Sequence, residues 1–312
     1  MTTAAARGAS ATVRLTGESL TVSIAAGELL EVRSLRHEGD ELLVAAADLP
    51  RHATVHGRAA GITFLHPWAN RLGRDAYAID GARATLPAGA PALARDGNGL
   101  AIHGLLAPPG AWRWEETEPT ARRAVARLDH PGADGTPFPF PHTVRVVFAL
   151  RATRLEVTTL THATGARAVP VAHGWHPYLQ LPGTPRANWR LALPARRHLT
   201  LDARGLPSGG HRDEPADEQP LAGRALDDGF DQLADGAWLG LRDARRRIRV
   251  RLLEGFPVAQ VYAPPDAPVV SLEPMTAAVN ALVTGRGLSL VAPGAQHRAT
   301  FALDVRGYPG RR

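Results

Sequence analysis

The chain alternates apolar and polar residues in short runs. Thr143–Leu150, Leu155–Leu160, Ile248–Leu253, Val258–Tyr262, Val269–Leu272, Leu288–Val291 and Ala299–Val305 are rich in β-branched or aromatic residues and bounded by Gly, Pro, Asp or Asn. That pattern predicts strands closed by turns. Period two is clearest near the C-terminus, where Ala299, Phe301, Leu303 and Val305 fall on one face and Arg298, Thr300 and Asp304 on the other. No stretch keeps a 3.6-residue period over three turns, and Ala277–Leu282 has room for a helical turn or two at most. Many short strands without a sustained helix predict an all-β sandwich or barrel. The lack of a fixed repeat argues against a propeller. Gly205–Asp217, rich in Gly, Pro, Ser and charge, reads as a surface loop. Composition does not shift across it, so the chain reads as one domain, residues 1–312.

Composition adds limits. A chain of 312 residues with 44% hydrophobic and 21% charged residues can bury a sizeable core. The 31 glycines and 26 prolines suit many turns better than a helical bundle. The formal net charge is +6, and all 36 basic residues are arginines, which removes Schiff-base chemistry from the options. A basic chain raises nucleic-acid binding as a question. The densest run is Arg245-Arg246-Arg247, followed by Arg249 and Arg251 in alternation with Ile248, Val250 and Leu252. That alternation reads as a strand with one basic, solvated face and one buried face, and no groove-reading motif accompanies it. No nucleic-acid partner is expected. There are no cysteines, so thiol nucleophiles, disulfides and cysteine-bound metals are excluded. Met1–Arg14 has no apolar core of signal-peptide length, and no segment approaches the roughly 18 apolar residues that span a membrane. The expectation is a cytoplasmic protein without a membrane partner.

Histidine and glutamate carry the candidate chemistry. His103 lies in Ile-His-Gly-Leu, and His173 and His176 lie in His-Gly-Trp-His-Pro-Tyr. Glu273 ends an apolar run just before a proline, a poor place for a surface carboxylate, since burying one is costly unless it is paired. The spacing of His173 and His176 raises a metal pair, but Gly174 and Pro177 break the helix that would align them, and no third ligand sits at a characteristic spacing.

Five segments, in order, resemble the aldose 1-epimerases (galactose mutarotases) and their hexose-6-phosphate relatives. Pro67-Trp-Ala-Asn-Arg71-Leu, with Tyr77 and Gly81, is similar to the family's Asn-Arg segment. Asn98-Gly-Leu-Ala-Ile-His103-Gly is similar to its first histidine motif. Pro170 to Tyr178 resembles the second, in the Gly-x-His-Pro-Tyr form, and is preceded by Phe138-Pro-Phe-Pro and two strands. Leu226-Asp227-Asp228-Gly-Phe230 resembles the Asp-x-x-Phe sugar-contact segment. Glu273-Pro-Met-Thr, with Asn280 and Ala281 after it, resembles the segment of the catalytic glutamate. The resemblance runs from about Phe64 to near the C-terminus.

The resemblance implies a large antiparallel β-sandwich with an open sugar cleft on one sheet. It implies an isomerase that interconverts sugar anomers without a cofactor or metal. Glu273 would take the proton of the anomeric hydroxyl and His176, protonated in the working state, would deliver one to the ring oxygen. His103 and Arg71 would orient the ring, and Asp227 or Asp228 would accept hydrogen bonds from hydroxyls. Trp68, Trp175 and Tyr178 lie beside these residues in sequence and are candidate packing surfaces for a sugar face, with core packing as the plainer alternative. The Asn-His pairing of the galactose-specific branch is missing, so the sugar stays open. The expected partner is a small-molecule sugar, and the chain is a monomer or homodimer. Two alternatives remain. A phosphosugar epimerase of the same fold would need further arginines at the cleft rim. A carbohydrate-binding or sensor protein would need neither Glu273 nor His176.

Overall fold

The computed structural model describes residues 11–117 and 122–308. Most of the N-terminal stretch read above, residues 1–10, lies outside them. The described chain forms two large antiparallel sheets. The first has eleven strands, in the spatial order Ala11–Thr16, Leu20–Ala26, Leu30–His37, Ile62–Leu65, Gly174–Leu179, Val270–Met275, Val258–Ala263, Leu226–Asp231, Arg196–Leu201 and Pro207–Glu214, with Asp40–Glu41 against Leu30–His37. The second has nine, in the order Trp112–Thr117, Arg123–His130, His142–Arg151, Arg154–Ala163, Gln296–Gly307, Arg246–Glu254, Trp238–Arg242, Arg190–Leu193 and Asp217–Pro220.

Both sheets are held by the period-two pattern. Ile248, Val250 and Leu252 turn inward together with Ala299, Phe301, Leu303 and Val305, all fully buried. They join Val22, Ile24, Val32 and Leu272 from the first sheet in one apolar layer, so the expected sandwich is what the sequence builds. Outward, the Arg249 guanidinium lies 3.8 Å from the Trp238 ring centroid, and Arg251 approaches Asp304 at 3.7 Å. The basic run is therefore the outer face of a paired strand. Of the expected helical segment Ala277–Leu282, only Ala281 and Leu282 are helical, in the single turn Ala281–Thr284. Among the described residues, no helix is long and apolar enough to cross a membrane.

One expectation fails. Gly205–Asp217 is not a loop throughout: Pro207–Glu214 is a strand paired with Arg196–Leu201. It sits at the sheet's edge and is largely exposed. An edge strand with little apolar surface to bury carries no hydrophobic alternation, so its composition looks like that of a loop.

A smaller three-stranded sheet, in the order Arg71–Leu72, Ala101–Leu105, Leu93–Arg95, provides one wall of the cleft described next.

Candidate active site

Strand register assembles the site. His176 pairs with Thr63 on one side of its strand. On the other, Gly174 pairs with Met275 and Tyr178 with Ser271, which sets His176 opposite Glu273. Glu273 pairs in turn with Gln260, and Gln260 with Gly229. Because alternate residues share a face, His176, Tyr178, Glu273, Gln260, Tyr262 and Asp227 point to the same side of the sheet, away from the core. That side is the floor of a cleft of about 690 Å³, within the usual size of a small-molecule site. Arg71, His103, the segment around Asp96, and Arg51, Ala53, Thr54, His56 and Gly57 line it above the floor.

At the centre, His176 Nε2 lies 3.2 Å from Glu273 Oε1, and both side chains are almost wholly buried. Glu273 Oε2 and His176 Nδ1 are buried and make no hydrogen bond to another protein group. Tyr178 stacks on His176 with ring centroids 4.2 Å apart and donates its hydroxyl proton to Ala53 O at 2.8 Å. The His103 ring meets the His176 ring edge-on at 5.2 Å. His103 is held in a left-handed conformation, φ 61°, with its backbone N–H donating to Asn70 O at 3.0 Å.

Arg71 is fixed from several directions. Its Nε donates to Asp96 Oδ2 at 2.7 Å and one terminal nitrogen to Asn70 Oδ1 at 3.2 Å. The other lies 3.7 Å from Asp227 Oδ2. Asn280 braces the same segment by donating its backbone N–H to Arg71 O at 3.0 Å and accepting from Gly73 N at 2.8 Å. Asp227 also accepts from Gln260 Nε2 at 2.7 Å.

Burial sets the protonation of the central pair. It pulls the His176 imidazole down to about 3. It pushes the Glu273 carboxyl well above the usual carboxylate range, helped by the nearby Asp227 anion and opposed by Arg71. Burial thus disfavours the charged form of each group, and the 3.2 Å contact is a path for a proton shared between carboxyl and imidazole.

Of the residues expected from the sequence, Arg71, His103, His176, Tyr178, Asp227 and Glu273 line the cleft. Trp68, Trp175 and Asp228 do not. Trp175 alternates with His176, so it faces the core, where Phe64 and Phe301 pack on it at 4.8 and 5.7 Å and its Nε1 donates to Thr159 Oγ1 at 3.2 Å. Trp68 is buried in a second apolar cluster with Leu72, Tyr77 and Phe138. Asp228 turns the opposite way from Asp227 and faces His198 Nε2 at 3.3 Å. Sequence reasoning missed Asp96, Gln260, His56 and Tyr262. Asp96 was hidden in an Asp-Gly-Asn-Gly turn. Gln260 was readable as the polar interruption of the apolar strand Val258–Ala263. His56 had no usable signal in sequence; its Nε2 lies 3.1 Å from His103 O. Among the described residues, no group of three histidine or acidic side chains is arranged to hold a metal. A second, apolar cavity of about 260 Å³, reached by Phe64, His66 and His130, is lined by none of the expected site residues.

Fold and site together define an antiparallel β-sandwich with a small-molecule cleft built over a buried carboxyl–imidazole pair. The model of the aldose 1-epimerase family matches residues 12–304. The chain belongs to that family. It is 28% identical over 249 residues to YihR of Escherichia coli K12, an uncharacterised protein, a match covering 77% of each chain. Its fold is similar to that of a galactose mutarotase-related enzyme from Lactobacillus acidophilus, with TM-score 0.77, 15% identity and 95% and 97% of the two chains covered. It is also similar to an aldose epimerase homologue from C. elegans, with TM-score 0.76, 13% identity and 96% and 100% covered. Both structural likenesses speak to the fold.

Proposed function

We propose that the protein is an aldose 1-epimerase that interconverts the α and β anomers of a free aldose. The observation that carries this reading is the pairing of Glu273 with His176 on neighbouring strands at the cleft floor, 3.2 Å apart. Mutarotation needs one proton removed and one delivered at two oxygens of the same carbon, and a carboxylate and an imidazolium side by side suffice. Glu273 takes the proton from the anomeric hydroxyl as His176 gives one to the ring oxygen. The C1–O5 bond breaks and C1 becomes an aldehyde. After rotation about C1–C2, the C5 hydroxyl attacks the other face of C1. Its proton returns to His176, Glu273 returns its own to O1, and the pair ends as it began. Arg71, His103 and Asp227 are the polar groups placed to orient the ring. Tyr178 is the aromatic cleft residue that supports the imidazole.

The phosphosugar alternative draws on Arg51 and Arg95, which also line the cleft. Arg95 is already engaged by Asp75 at 2.9 Å and Gly99 O at 2.7 Å, leaving Arg51 as the rim cation to meet a phosphate. One such cation supports a neutral sugar better than a phosphorylated one. The test is anomeric equilibration of fresh α-glucose, α-galactose and glucose 6-phosphate, followed by polarimetry or NMR against the protein-free rate. Acceleration with a neutral aldose is the expected result. Acceleration with glucose 6-phosphate alone moves the assignment to the phosphosugar class, and none with any sugar removes it.

A further inference from the structure

Besides the groups that hold it in the cleft, Arg71 has a neighbour from a distant part of the chain. The strands Arg196–Leu201 and Pro207–Glu214 form a hairpin at the sheet edge. Asp202 closes its tip: it accepts from the backbone N–H of Leu206 at 3.0 Å and of Arg204 at 2.8 Å, while Gly205 N donates to Asp202 O at 2.9 Å. The tip lies against the Arg71 segment. A Cβ on Gly205 would sit 2.9 Å from a terminal nitrogen of Arg71 and 3.1 Å from its Cζ, and one on Gly73 would sit 3.0 Å from Leu206 Cδ1. A side chain at Gly205 or Gly73 would therefore press on the Arg71 guanidinium or on the Leu206 and Asn280 side chains, which would have to give way. On the opposite face of the sheet from Asp227, His198 of the hairpin's first strand faces Asp228 at 3.3 Å and Glu214 at 3.0 Å.

We infer that this hairpin is a positioning element for Arg71, with Gly205 as its contact. The flat guanidinium lies on the bare glycine with its Nε aimed at Asp96 and one terminal nitrogen toward Asp227. A side chain at position 205 pushes the guanidinium off that surface and out of line with both carboxylates. The inference rests on the epimerase reading only for its kinetic consequence; the placement of Arg71 is testable without substrate.

Gly205 has φ +75°, so a substitution there also strains the backbone. Two variants separate strain from contact. Gly205→Asn adds a Cβ in a residue that tolerates the left-handed region. Gly209→Ala imposes the same kind of strain in the same hairpin, at φ +96° with nothing within 4 Å. The substrate-free readout is the NMR signal of the Arg71 Nε–H that donates to Asp96, identified by its loss in Arg71→Lys. In Gly205→Ala and Gly205→Asn this signal should shift and lose its protection from exchange. KM should rise roughly tenfold, the scale of losing one charged hydrogen bond, with kcat within about twofold. Gly205→Ala should add little to Arg71→Lys, and Gly209→Ala should change neither readout. An unaltered Arg71 signal in both Gly205 variants overturns the inference. So does an equal effect from Gly209→Ala, or a full additional loss in the Arg71→Lys background. Absence of mutarotation in the unsubstituted protein would refute the epimerase reading, and the Nε–H signal would still decide the hairpin's role.

Discussion

Asp227 and Asp228 are neighbours in sequence and point to opposite faces of one strand. Asp227 accepts from Gln260 Nε2 at 2.7 Å over the cleft floor, and Asp228 faces His198 Nε2 at 3.3 Å outside it. The Asp-Asp-Gly segment offers two equivalent acids, and strand alternation separates them. Asp227→Asn is expected to raise KM about tenfold, as loss of a charged acceptor would. Asp228→Asn should leave KM within about twofold and cost under about 1 kcal/mol of stability, because its contact with His198 is part-exposed. Steady-state kinetics and urea titration of both variants check this. A larger kinetic effect from Asp228→Asn reverses the assignment.

Protonation gives a second prediction. The pair carries one proton in its working state, so activity falls where a second is added or the last is lost. Burial pulls His176 down to about 3, so the acid limb should lie well below the ordinary histidine range. Burial and Asp227 push Glu273 up, so the alkaline limb should lie above the usual carboxylate range. Removing the Asp227 anion lowers the Glu273 value and should move the alkaline limb to lower pH. A kcat/KM profile of the unsubstituted protein and Asp227→Asn, corrected for the buffer rate at each pH, measures this. An acid limb centred near 6.5, or an unmoved alkaline limb in the variant, contradicts it.

Stability should be acid-sensitive for a related reason. Burial lowers His66, His103 and His173 well below their ordinary value. It takes His142 to about 3 and His130 to about 4. Below pH 6.5 the unfolded chain binds protons at these positions that the folded chain does not. Stability is therefore intact above that value and is lost as pH falls, by up to about 1.4 kcal/mol per pH unit for each histidine. Glu31 and Glu273, raised by burial, act in the opposite direction but are fewer. Urea midpoints should fall steeply between pH 7 and pH 5. A flat or rising midpoint contradicts the buried, neutral assignment.

The role of Trp175 separates core from cleft. Trp175→Ala should cost about 3–5 kcal/mol, as large-to-small changes at packed aromatic sites do, and leave the KM of the folded fraction unchanged. Chemical denaturation and kinetics on one preparation test both halves. A raised KM with full stability would restore Trp175 as a sugar-facing residue.

Much of this was legible in the sequence because alternation is local. Ala299–Val305 announces both its strand and its buried face. The segment from His173 to Tyr178 contains the site's logic as well: His176 and Tyr178 share a face, so Trp175 had to take the other, and period two alone would have removed it from the sugar-facing candidates. What stayed hidden depends on pairing between distant strands. Gln260 becomes part of the site only because its strand lies beside Glu273 in register. Asp96 matters because a turn carries it to Arg71, 25 residues away in sequence. Pro207–Glu214 gives no signal because an exposed edge strand has no apolar face to declare.

The central claim is that Glu273 and His176 exchange protons with the sugar as one unit, and substitution of each tests it most directly. Glu273→Gln keeps shape and removes the base; His176→Asn removes the acid. Each should lower kcat on the order of 10²–10⁴-fold with a modest change in sugar affinity, and the double variant should be little worse than the slower single one. The measurement is mutarotation of a responsive aldose by NMR, with the protein-free rate subtracted and folding confirmed by circular dichroism. Near-full activity in both folded variants would contradict the account.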